Sequence, residues 1–249
     1  MELSNEVLLL LLLAAFVAGF IDTLAGGGGL ITIPALLLAG VAPLEALATN
    51  KLQSVFGVLT ASLTLLRRRL LIWSEMRGLF LAALIGSALG AASVQFVNPA
   101  ALDFVIPLVL VGIALYYLLA PKAGDLDTQP RLQEKSYRLF VVPAIGFYDG
   151  MFGPGTGSFF STAGVALRGL DLIKATIRAK ILNLATNLAA VLVFAAGGHM
   201  LWKVGAVMLV GQMAGAWLGT HAVIRGGSRL IRPLLVTVCL VMLARYYLG

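Results

Sequence analysis

Apolar residues run along this chain in blocks, without the alternation of strands or the one-sided stripe of a soluble helix. The blocks fall at about 6–24, 30–39, 43–66, 78–96 and 100–120, then at about 138–150, 157–168, 171–196, 203–224 and 229–248. Blocks near ~20 residues match the hydrocarbon thickness of a bilayer and predict transmembrane helices. Two blocks, 30–39 and 157–168, are too short. At 1.5 Å per residue each covers about half of a ~30 Å hydrocarbon core. A glycine cluster precedes each of them: "GGGG" at Gly26–Gly29 and "GPGTG" at Gly153–Gly157. Glycine weakens a helix by about 1 kcal/mol relative to alanine, so each cluster predicts a broken or re-entrant element.

The pattern occurs twice. "GFIDTLAGGGGLITIP" from Gly19 matches "GFYDGMFGPGTGSFFS" from Gly146, which aligns Asp22 with Asp149. "GVAPLEALATNKLQS" matches "GLDLIKATIRAKILN", which aligns Gly40 with Gly169 and Lys51 with Lys180. The organisation expected is a first transmembrane repeat at 1–120, a cytoplasmic connecting loop at 121–136 and a second repeat at 137–249, an all-α polytopic membrane protein. Lysine and arginine mark cytoplasmic loops. "RRRLLIWSEMR" (67–77) is rich in arginine and "VNP" (97–99) has none, whereas in the second copy "GGHMLWK" is poor and "RGGSRLIR" (225–232) rich. This swap of bias favours repeats of inverted topology, with about five segments each and both termini periplasmic. Four crossings per copy in parallel repeats is the alternative, and it leaves the swap unexplained.

Composition agrees with a membrane protein. Mean hydropathy is +0.98 and 12% of residues are charged, against about 25% in soluble domains. The net charge of +7 is accounted for by cytoplasmic loops, and no solvated basic face for nucleic acid is visible. The single cysteine, Cys239, excludes an internal disulfide and a multi-cysteine metal site. Glu2 and Glu6 stand where a signal peptide would carry cations, so the first block is expected to be retained.

Charged residues inside apolar blocks are costly and are candidates for function. Lys51 and Lys180 lie ~12–14 Å into their helices at 1.5 Å per residue. Two half-helix N-termini, each with free N–H groups and a partial positive charge, together with two ammonium groups, suit a small oxyanion. The candidate substrate-binding set is Gly26, Gly27, Gly28, Gly29, Asn50, Lys51 and Gln53, with Gly153, Gly155, Thr156, Gly157, Lys180, Asn183 and Asn187 from the second copy. Thr49, Ser54, Arg178 and Thr186 stand nearby. Asp22 and Asp149 are candidates for proton coupling or ion pairing with the lysines. Bland readings compete: the glycines as packing points, the lysines in structural ion pairs, the aspartates as helix caps, the amides in interhelical bonds, Arg178 as an interfacial anchor. His199 and His221 have no partners at metal-ligand spacing, so no metal or cofactor is expected. No nucleophile–base pair and no phosphate loop is visible, which argues against an enzyme.

The strings "DTLAGGGG", "ATNK" and "GPGTG", spread over both halves, resemble the sulfite exporter TauE/SafE family, also called the toluene sulfonate uptake permease superfamily. The half from Gly146 looks closest to bacterial inner-membrane members regarded as probable transporters. The resemblance implies transport of a small sulfur-containing anion such as sulfite, a sulfonate, sulfoacetate or thiosulfate. The function expected is a proton-coupled secondary transporter working by alternating access in the bacterial inner membrane. An anion channel and a non-transporting scaffold are the alternatives. The partners are the anion and the bilayer, with room for a homodimer.

Overall fold

The computed structural model describes residues 3–94 and 124–248, with side chains beyond residue 226 described only in part. The block expected at 100–120, the loop at 97–99, the boundary placed at 120 and the side chain of Cys239 lie outside the described residues.

Among the described residues every regular element is helical. Helix α1 (Asn5–Ala25) stops at Gly26, whose left-handed backbone (φ 74°) lets its N–H bond the Asp22 carbonyl at 2.7 Å. The short α2 (Gly29–Leu38) follows. Helix α3 (Pro43–Arg67) opens on a proline, whose missing N–H costs nothing in a first turn. Helix α4 is Trp73–Ser93. Helix α5 (Val142–Met151) is entered through a turn at Glu134–Ser136 and a π-helical stretch at Tyr137–Val141. Then come α6 (Thr156–Arg168), α7 (Leu172–Ala196), capped by the Asp171 side chain, and α8 (Trp202–Leu248).

The apolar clusters show which helix ends lie together. Leu36 of α2, Val41 and the α3 residue Ala46 cluster with Leu11 of α1 and with Val204 and Met208 of α8. Leu65 of α3, Leu71 and Met76 of α4 cluster at the other end with Tyr137, Leu167 of α6 and Ile177 of α7. The α1–α2 hairpin therefore returns to the end it starts from, and α5–α6 does so at the opposite end. Helices α3 and α7 run in opposite directions between those ends.

Two glycine seams hold the layers. Gly215 of α8 faces α1, and Gly90 of α4 and Gly150 of α5 face each other's helices. A Cβ there would come 1.9, 2.0 and 2.0 Å from the carbonyl oxygens of Phe16, Phe147 and Ser87, so these backbones are as close as small residues permit. Outward, Leu10, Leu81, Ile85, Leu89, Leu192 and Val210 are exposed. Among the described residues four stretches are long and apolar enough to cross a membrane: Asn5–Ala25, Trp73–Ser93, Leu172–Ala196 and Trp202–Gly226. Helix α3 has the length, but Thr49, Asn50, Lys51, Gln53 and Ser54 interrupt its apolar run.

One expectation is corrected. The sequence predicts a loop at 225–232 between two spans, but α8 is a single helix of 47 residues, about 70 Å at 1.5 Å per residue. Glycine and arginine disfavour a membrane helix without forbidding it, and none of the left-handed glycines among the described residues falls there. Segment 225–232 therefore supplies no loop for the charge comparison.

Candidate functional site

The tips of the two hairpins touch. A Cβ on Gly157 would sit 2.5 Å from the Gly26 Cα, and one on Gly26 would sit 2.3 Å from the Gly157 Cα. Only two residues without side chains can meet this closely. Next to them the Ser158 hydroxyl donates to the Ala25 carbonyl. The second tip turns through Gly153 (φ 93°) and Gly155 (φ 82°), and the Tyr148 hydroxyl braces it by donating to the Pro154 carbonyl at 2.7 Å.

Two ion pairs cross between the halves at these tips. Lys51 Nζ lies 2.7 Å from Asp149 Oδ1, with both side chains buried. Lys180 Nζ lies 3.6 Å from Asp22 Oδ2 and donates to the Asp22 carbonyl. Each lysine is thus held by the carboxylate of the other half. Pairing of this kind is what makes a buried ammonium tolerable, because an isolated charge in an apolar medium is very costly.

Both carboxylates also hold their own glycine turn. Asp22 Oδ1 accepts the Gly28 N–H at 3.1 Å, at the positive end of α2. Asp149 Oδ1 accepts the Thr156 hydroxyl at 2.6 Å, at the first residue of α6. Asp149 Oδ2 is buried and has no hydrogen-bond partner. The Gly27 carbonyl accepts the Leu30 N–H at 3.1 Å. Gly153 lies against Lys51: a Cβ there would be 2.8 Å from Nζ.

The amides divide into two groups. Asn50 Oδ1 accepts from Thr32 Oγ1 at 2.5 Å and from Gln53 Nε2 at 3.0 Å, which ties α3 to α2. The Asn50 amide also faces Gly29, where a Cβ would sit 3.5 Å from its Nδ2. Gln53 Oε1 is buried without a partner, and Ser54 Oγ accepts from Gln53 Nε2 at 3.4 Å. In contrast, Asn183, Thr186 and Asn187 bond along α7: Asn187 Nδ2 donates to Asn183 Oδ1 at 2.8 Å and Thr186 Oγ1 to the Asn183 carbonyl at 3.0 Å. Thr49 Oγ1 accepts the Leu201 N–H at 3.3 Å.

Other candidates sit elsewhere. Arg178 pairs with Glu75 of α4 at 3.1 Å, at the arginine-rich end. There the described part of the central loop is strapped to the α6–α7 turn: Thr128 N–H bonds the Gly169 carbonyl at 2.7 Å and the Asp171 N–H bonds Asp127 Oδ1 at 2.8 Å. The hydrogen bond from Lys174 holds the Asp127 carboxyl below its ordinary range. His221 lies 3.2 Å from Arg68, and among the described residues no three metal-binding side chains gather. The sequence reading missed Thr32, Tyr148 and Ser158. A hydroxyl in an apolar helix is a weak signal, because interhelical bonding explains most of them.

Fold and site together define a polytopic helical membrane protein with paired charges buried at the meeting of two glycine turns. The family model for the sulfite exporter TauE/SafE matches residues 11–246, and the chain belongs to that family of membrane transporters. It is 45% identical over 245 residues to a protein of Haemophilus influenzae named "Probable membrane transporter protein", covering 98% of this chain and 96% of the relative. It is 44% identical over 242 residues to the "Probable membrane transporter protein YfcA" of Escherichia coli, covering 97% and 90%. It is 45% identical over 244 residues to the "Probable membrane transporter protein ORF9" of a Sinorhizobium species, covering 98% and 94%. No solved structure matches the chain.

Proposed function

We propose that this chain is a secondary transporter of a small sulfur-containing anion, driven by protons and working by alternating access between two inverted repeats. The observation that carries the reading is the crossed pairing of Lys51 with Asp149 and Lys180 with Asp22 at the abutting glycine turns. A cation released from its carboxylate is an anion site, and protonation of the carboxylate is the simplest release. Binding of proton and of anion at the pair are then linked, as coupled transport requires. Opposite directions of α3 and α7, and hairpins returning to opposite ends, support the inverted arrangement. The family name supports a sulfur oxyanion. In this reading the protein lies in the bacterial inner membrane with the arginine-rich end in the cytoplasm and the N-terminus in the periplasm; the periplasmic C-terminus expected from the loop charges does not follow, because α8 starts at the end opposite the arginines and does not turn back at 225–232.

The test is a binding panel of sulfite, sulfate, thiosulfate, sulfoacetate, taurine and chloride on the purified protein, followed by flux in proteoliposomes with and without a pH gradient. Expected are binding of at least one sulfur anion, its loss in Lys51→Ala or Lys180→Ala, and saturable flux that follows the proton gradient. If neither substitution alters binding, the paired lysines are not the site. Flux that never saturates would assign a channel instead.

A further inference from the structure

The arginine-rich end carries more cations than its carboxylates balance. Glu75 is taken by Arg178 and Glu134 by Arg168. Among the described residues Arg77, Lys135 and Arg138 have no acidic partner. Of these, Arg138 has a defined seat. It leaves the π-helical stretch and lies along the α4 backbone at Gly78, where a Cβ would sit 3.0 Å from its Nη1 and 3.2 Å from its Cδ. Any larger group at position 78 would crowd the guanidinium. The aliphatic stem thus covers backbone while the charged head stays at the surface.

Depth makes this seat unusual. Helix α4 is long and apolar enough to cross a membrane, and Trp73, exposed in its first turn, is of the type that anchors at the interface. Gly78 is about 7–8 Å further along at 1.5 Å per residue, near the level where headgroups give way to hydrocarbon. An arginine without a counter-charge is costly there. Ser74, Gly78, Leu81, Ile85 and Leu89 follow one another along one stripe of α4, three or four residues apart. Ser74 is exposed, and so are the three aliphatic residues. From the arginine-rich end inward the stripe presents a hydroxyl, a guanidinium and then bare aliphatic groups. A phospholipid has the same order: a charged phosphate, then a fatty chain.

We propose that this stripe binds an anionic phospholipid from the leaflet at the arginine-rich end. Arg138 takes the headgroup phosphate through paired N–H donors, the geometry that suits a guanidinium. Arg77, beside Gly78, and Lys135, one turn before Arg138, add attraction for an anionic headgroup. One acyl chain lies along Leu81, Ile85 and Leu89. The phosphate then supplies the counter-charge that the engaged carboxylates do not. A zwitterionic lipid brings its own cation to the arginines and binds less well. The site is separate from the Lys51 and Lys180 pairs and stands whichever solute the protein carries.

The experiment is native mass spectrometry of the purified full-length protein in detergent, titrated with phosphatidylglycerol and with phosphatidylcholine of the same acyl chains. Variants are Arg138→Gln and Gly78→Leu, which keeps every charge but displaces the guanidinium. The control is Arg131→Gln, which removes an exposed charge from the same end, where the Arg131 N–H bonds the Leu167 carbonyl at 3.0 Å. Expected is phosphatidylglycerol binding at least ~5-fold tighter than phosphatidylcholine, weakened ~5-fold or more by Arg138→Gln and by Gly78→Leu, the effect of one basic residue at an anionic surface. Arg131→Gln should change it less than ~2-fold, because salt screens distant exposed charges. Equal binding of the two lipids overturns the proposal. So does an Arg131→Gln loss as large as that of Arg138→Gln, which would show only a diffuse field, or a Gly78→Leu variant that binds like the wild type. Displacement of phosphatidylglycerol by an equal concentration of glycerol phosphate would show a site for the phosphate alone and overturn the lipid as occupant.

Discussion

Lys51 and Asp149 stabilise each other only as a pair. Lys51→Ala leaves a buried carboxylate without a counter-charge, a loss of about 3–5 kcal/mol. The double variant Lys51→Met, Asp149→Leu removes both charges and is expected to unfold at a higher temperature than either single variant, as read by thermal unfolding in detergent. A double variant as weak as the sum of the singles would show that the pair is not a coupled unit. Gly157→Ala would drive a methyl into the Gly26 backbone, at a cost of about 1–3 kcal/mol for overpacking. Gly198→Ala is the comparison: nothing lies within 4 Å of the added carbon, so only the strain of its left-handed backbone (φ 75°) remains, and it should lose less.

Much of this was legible beforehand, for definite reasons. A lysine within an apolar block stands out because hydrocarbon punishes charge, and a glycine cluster stands out because it cannot continue a helix cheaply. Both kinds of residue therefore identified themselves without coordinates. What pairs with what did not. Asp22 and Asp149 were each plausible for either lysine, and only the packing of one tip on the other decides that the pairs cross. Nor could periodicity separate Asn50, which bonds to Thr32 of the neighbouring helix, from Asn187, which bonds one turn back along its own.

Helices were read from apolar length, and the short ones were the more informative. The expected boundaries of α2 and α6 differ from the observed ones by one residue, because glycine turns end them sharply. The arginine-rich stretch 225–232 misled because loop-like composition does not by itself stop a helix. The α4–α5 and α1–α8 seams were also hidden, since single glycines in apolar runs give no partner. Gly90→Leu and Gly215→Leu should each prevent close docking of these helices and sharply reduce the yield of monodisperse protein in size-exclusion chromatography. Acid should act on a different contact, the strap at the α6–α7 turn. The Asp127 carboxyl is held below its ordinary range, so its contribution is present above that range and is lost as pH falls through the lowered value. Hydrogen exchange at the Thr128 amide is therefore expected to speed up on acidification below the usual carboxylate range, and to be already fast in Asp127→Asn.

For the molecule as a whole, the opposite runs of α3 and α7 and the arginines of the α3–α4 turn make one joint statement about orientation, with that turn on the cytoplasmic side. A reporter that is active only in the cytoplasm, fused after Gly249, should therefore be active, because α8 leaves the end opposite the arginines and does not turn back. A periplasmic C-terminus would instead require α8 to turn back near 225–232; in either case the inverted arrangement rests on α3, α7 and the two hairpins.

The crossed pairs also impose an order on biogenesis. Lys51 leaves the ribosome well before Asp149, a wait on the order of ten seconds at ~5–20 residues per second. During that interval the first half holds an ammonium whose partner does not yet exist, so α3 cannot settle at its final depth without cost. Completion of the first half is thus contingent on arrival of the second. A truncated chain ending within 124–133 should be a substrate for membrane quality control, and the missing half supplied in trans should rescue it.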